Sequence, residues 1–75
     1  MPKNHRVLQF TNSSKKVTTI YLEPWAEEFC LEPNHQIAVY DTQSKETIEH
    51  EICDNGISVF GVTENYSVTI ERVSK

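Results

Sequence analysis

The chain has 75 residues, 24% of them charged, and a formal net charge of −4, so it is one domain, 1–75, of a size that buries only about 60% of its unfolded surface. No apolar run reaches the roughly 20 residues of a membrane span, and the opening stretch MPKNHRVLQF lacks the apolar segment of a secretory signal. A cytoplasmic protein with no membrane partner is expected, with Cys30 and Cys53 reduced and the sequons at Asn12 and Asn65 never glycosylated.

Apolar residues recur at period two along almost the whole chain, and β-branched residues are frequent, which predicts strands. The first is HRVLQFT (5–11), followed by the polar turn NSSK, and the second is KVTTIYL (16–22). Next comes YLEPWAEEFCLEP (21–33), with the only tryptophan and two of the three prolines. Pro24 suits the first position of a helix, but Pro33 closes the segment after nine residues, and so short a helix is marginal. Phe29 and Leu31 alternate with Glu28, Cys30 and Glu32. A bend at 24–27 feeding a strand at 28–32 is therefore expected, with Trp25 at a corner where its ring plugs a small core. Pro33-Asn34 turns into QIAVYD (36–41), and ETIEHEIC (46–53) alternates clearly. Asp54-Asn55-Gly56 is a hairpin signal in which Asn-Gly suits a type I′ turn. GISVFG (56–61) and YSVTIERV (66–73) complete six or seven short strands, the pattern of a sandwich or barrel.

The charge is unevenly spread. Nine acidic residues stand between Tyr21 and Asp54 with only Lys45 against them, while the first twenty residues carry Lys3, Arg6, Lys15 and Lys16 and no acid. An acidic middle repels phosphate backbones, so no nucleic-acid partner is expected. It reads as a solubilising face or as a docking surface for a basic partner.

Few residues point to chemistry. If Thr42–Lys45 were a hairpin loop, Val39 would face Ile48, Ile37 would face His50, and His35 would face Ile52. His35 and His50 would then be diagonal neighbours about 7–8 Å apart, able to share a metal if a third ligand came from elsewhere. Cys53 is out of phase with His50, and no CxxC, HxH or HExxH spacing occurs. Cys30 and Cys53 follow apolar neighbours and are expected to pack as small hydrophobes. With two glycines in the chain, a phosphate-cradling loop is excluded, and no cofactor is expected. Ala38, Tyr40 and Phe60 fall opposite the main apolar phase and predict a second patch. Trp25, Tyr40 and Phe60 are accordingly candidate binding residues.

The segment LEPWAEEFCLEP also resembles one in small uncharacterised bacterial all-β proteins, which carry L-E-P-W-x-E-E-[FY]-x-L-x-P ahead of short strands. The matching positions are Leu22, Glu23, Pro24, Trp25, Glu27, Glu28, Phe29, Leu31 and Pro33, and the likeness runs from about Tyr21 to Val62. Those proteins often have glycine after the last proline, where this chain has Asn34, a residue that tolerates left-handed geometry. The resemblance implies bacterial origin and β architecture and carries no activity.

The sequence therefore predicts an all-β fold, a small antiparallel sandwich or partly open barrel, even a reduced jelly roll. It predicts a non-enzymatic interaction or structural module whose partner is a second copy or another protein. The alternative is a cupin-like small-ligand or metal-binding protein using His35 and His50.

Overall fold

A computed structural model describes residues 4–73. Seven strands follow in order: β1 (His5–Asn12), β2 (Thr18–Glu23), β3 (Glu27–Leu31), β4 (His35–Asp41), β5 (Glu49–Cys53), β6 (Gly56–Phe60) and β7 (Ser67–Arg72). They form two sheets, β1-β4-β7 and β3-β2-β6-β5, packed as an all-β sandwich. All neighbours are antiparallel except β2 and β6, which run parallel.

Alternation places one side of each strand between the sheets. Ile20 and Leu22 of β2, Leu31 of β3, Ile37 and Val39 of β4 and Val59 of β6 are fully buried there, with Val7, Leu8, Ile48 and Val62 around them. Burying one such side chain is worth about 1.5–3 kcal/mol.

The largest departure from expectation is the partner of β4. β4 is the centre of its sheet, flanked by β1 and β7, while β5 pairs with β6 in the other. The hairpin of residues 36–53 does not form, and His35 and His50 fall in different sheets. His35 lies opposite Asn12 and Arg72, and His50 opposite Val59. The front half of the expected strand 46–53 is a 3-10 turn, Lys45–Thr47. Ser44 holds it there: its Oγ accepts from the Glu46 amide at 3.2 Å, and its carbonyl accepts from Thr47 Oγ1 at 2.7 Å. Such local bonds offer the backbone an alternative to the ladder.

The turns explain themselves residue by residue. The chain leaves β2 through a cis Glu23-Pro24 bond and enters β3 with Ala26 left-handed (φ 56°). Asn34 is left-handed too (φ 62°), as its short polar side chain allows. The β5–β6 turn is not type I′. Cys53 pairs with Gly56, so the central residues are Asp54 and Asn55, and positive φ among the described residues is confined to Ala26, Asn34 and Gly61. Gly56 serves the sheet instead. A Cβ there would stand 1.8 Å from the Thr19 carbonyl oxygen, where β2 and β6 begin to pair.

Two buried polar side chains tie connections to strand ends. Asn12 Nδ2 donates to the carbonyls of Lys16 (2.7 Å) and Leu31 (2.8 Å), and Oδ1 accepts from the Ser14 amide (2.9 Å) and hydroxyl (2.7 Å). At the other end of the β1–β4 ladder, Asp41 has no exposed surface. Its Oδ1 accepts from the Thr42 amide (2.8 Å) and Thr63 Oγ1 (2.6 Å), and its Oδ2 from the Thr63 amide (2.6 Å). Burial pushes the Asp41 carboxyl up, but the Thr63 hydroxyl and amide, the Thr42 amide and the charge of His5 outweigh it, so the group is held below its usual range.

Two outcomes are expected. Asp41→Asn will lose about 3 kcal/mol at neutral pH, because a charged acceptor of three bonds is removed. Because the folded pKa is depressed, the stabilisation is present above the unfolded value and disappears as pH falls through the folded one. Urea unfolding will therefore separate wild type from Asp41→Asn at pH 7 and show the gap closing in acid. Gly56→Ala will cost at least about 2 kcal/mol, since the β2–β6 ladder must part to admit the methyl group; a thermal melt within one degree of wild type would contradict this.

Candidate interaction surfaces

The sheets do not cover each other completely, because one has three strands and the other four. β5 is an edge strand whose core-facing side carries His50 and Ile52, in phase with Val59 and Ile57 of β6. Phe10 of β1 meets the His50 ring edge-on, with centroids 5.3 Å apart and planes at 79°. Two residues further along, Ile52 is 87% exposed. It lines an open groove of about 690 Å³ with Lys16, Val17, Thr19 and Asp54, and Val17 is itself 55% exposed. A second cleft of about 310 Å³ lies beside it, walled by Phe10, Ile20, Leu31 and Ile57, and it shares Ser14 and Thr18 with the groove. The groove and the cleft are thus adjacent on the surface.

The outer face of the four-stranded sheet is acidic and aromatic. Tyr21 lies between Glu28 and Ser58, with Glu51 beyond Ser58, and Phe60 lies between Glu23 and Glu49. None of the four strands contains lysine or arginine. Phe60 is 41% exposed.

The candidate binding residues do not assemble as one patch. Tyr40 and Ala38 are on the outer face of the other sheet, where Tyr40 sits between Arg6 and Ser67 and the small Ala38 is covered by its neighbours. Phe60 and Trp25 come to one end of the four-stranded sheet. Trp25 occupies the corner as expected but does not plug the core: it is 39% exposed, and its indole Nε1 donates to the Val62 carbonyl at 3.2 Å. Beside it the Tyr66 hydroxyl donates to Glu27 Oε1. Together these bonds join the β2–β3 turn to the β6–β7 connection. Burial and that carboxylate push the Tyr66 phenol up to about 12.

The metal reading loses its geometry. His35 and His50 do not share a face, and His35 Nδ1 lies 2.9 Å from the Pro33 carbonyl. Neither histidine lines the groove or the cleft. Among the described residues no group of three or more His, Cys, Asp or Glu side chains is placed to hold a metal ion. Cys30 and Cys53 are both free. Cys30 is exposed on the outer face rather than packed as a small hydrophobe, and Cys53 Sγ lies 3.4 Å from Ser58 Oγ.

Ile52 is the surface residue that periodicity does not reveal. It has the apolar phase of a core position, and its exposure follows from its place near the end of the edge strand β5, beyond the contact that Phe10 of the opposite sheet makes with His50. No known protein family, curated protein or solved structure matches the chain. Among the described residues no helix is long and apolar enough to cross a membrane.

The Tyr66–Glu27 pair is directly observable. Because the folded pKa is raised, the pair's stabilisation is present below the ordinary phenol value near 10 and fades as pH rises through about 12. Spectrophotometric titration will show one tyrosine ionising late, and that late step will be absent in Tyr66→Phe.

Proposed function

We propose that the protein is a non-enzymatic interaction module that associates with copies of itself through the groove beside β5. The observation that carries this reading is Ile52, a large apolar side chain 87% exposed on the core-facing side of an edge strand. Val17 shares its groove. Leaving Ile52 in water forgoes about 1.5–3 kcal/mol and the half-exposed Val17 roughly half as much, and exposed apolar side chains that share a groove mark an interaction site. The strand edge adds unpaired backbone groups to the same surface.

Direct β5–β5 pairing between copies is a poor solution. The strand reads EHEIC, and antiparallel pairing centred on Glu51 sets carboxylate against carboxylate. Contact through the groove avoids that cost. The chain's acidic balance keeps such assemblies soluble.

Light scattering across a concentration series will show the mass rising above that of one chain, 8.7 kDa. Ile52→Asp will return it to one chain while leaving the melting temperature within a few degrees, because the side chain contributes little to the core of the single chain. A wild-type mass of one chain at millimolar concentration would refute the reading.

A further inference from the structure

The two ends of the four-stranded sheet differ in charge, and each exposes two large apolar side chains. β2 and β6 run parallel and β5 runs antiparallel to β6, so the start of β2 shares an end with Ile52, and the end of β2 shares one with Glu49 and Phe60. The first end, the head, presents Val17 and Ile52 beside the exposed loop Ser13–Val17, with Lys15 and Lys16 balanced by Glu32 and Asp54. The second end, the tail, presents Trp25 and Phe60. Glu23, Glu27, Glu46, Glu49 and Glu64 lie in the strand ends and connections there, against Lys45. Four of the five most exposed large apolar side chains of the described chain thus fall at these two ends, the fifth being Ile70 of β7.

We infer that copies of this chain associate head to tail, the Trp25–Phe60 end of one seated on the Val17–Ile52 groove of the next. This rests on the self-association reading and adds the surface that fills the groove. Charge disfavours contact between two tails. Tail against tail sets carboxylates against carboxylates, whereas tail against head brings Glu23 and Glu49 toward Lys15 and Lys16. The lysine stems and ammonium groups also suit the exposed Phe60 ring. The groove is open beside Ile52, and Trp25 and Phe60 offer two exposed aromatic side chains to fill it. Such a contact joins different surfaces of identical chains, so it propagates until it closes a ring or grows as a filament.

The test is charge reversal with complementation, read by sedimentation velocity. Wild type will associate more weakly as sodium chloride rises from 50 to 500 mM, on the order of tenfold. K15E/K16E and E23K/E49K will each dissociate to single chains alone, and an equimolar mixture will regain association, because the reversed head of one meets the reversed tail of the other and their two native ends meet as in wild type. Melting curves for each variant confirm that it is folded, and Lys15, Lys16 and Glu49 are all exposed. If the reversed variants associate as wild type does, or the mixture stays dissociated, the head-to-tail contact is wrong. In that case loss of association in Ile52→Asp would still support the groove as an interface between copies. A wild type that never associates removes both readings.

Discussion

The buried carboxylate of Asp41 is the constraint from which the rest of the architecture follows. It ends β4, and it accepts from both the amide and the hydroxyl of Thr63, in the connection between β6 and β7. A fully buried charge is tolerable only when its acceptor sites are filled, and here Thr63 and Thr42 fill them. The end of β4 is tied in this way to a segment 22 residues further on, and the chain after β4 does not fold straight back as a hairpin. β4 takes β1 and β7 as neighbours, and β5 is sent to the opposite sheet.

Asn12 does the corresponding work at the other end of the β1–β4 ladder. Its amide joins the β1–β2 loop to the last residue of β3. The loop that carries Lys15, Lys16 and Val17 is thereby held at the mouth of the groove rather than left to sweep through solvent. The polar interior and the candidate surface are therefore connected: Asn12 positions the head of the sheet, while the Trp25 and Tyr66 hydrogen bonds position its tail. Both ends stand on strands and braced turns, which lowers the entropy cost of ordering an interface.

An edge strand with an uncovered inner face is a liability in a small sandwich, and its surroundings limit it. The edge carries Glu49 and Glu51, which oppose pairing with an identical strand. The apolar part is concentrated at one residue, Ile52, next to a mixed-charge loop. Such a surface disfavours indiscriminate strand addition and leaves a defined apolar contact available.

Strand identity was legible along most of the described chain, because period-two alternation is a local property and each segment wears it independently; the exception is the start of ETIEHEIC, where the Ser44 bonds hold the 3-10 turn Lys45–Thr47. The bend at Pro24, the strand through Phe29 and Leu31, and the left-handed Asn34 were legible for the same reason. What failed was everything that depends on which strand lies beside which. Alternation in β4 and β5 is compatible with their pairing, and only the remote Thr63 makes Asp41 a buried anchor rather than a hairpin end. Gly56 reads locally as a turn residue, yet it is needed because the Thr19 carbonyl, 37 positions earlier, approaches where a Cβ would be. Ile52 has the pattern of a core residue, and its exposure follows from its place near the end of the edge strand β5. The amino-acid sequence by itself determined an all-β chain with its strands nearly in place. The tertiary structure alone decided their partners, and with them the separation of His35 from His50 and the groove at Ile52, because pairing is set by long-range hydrogen bonds and packing that no local period encodes.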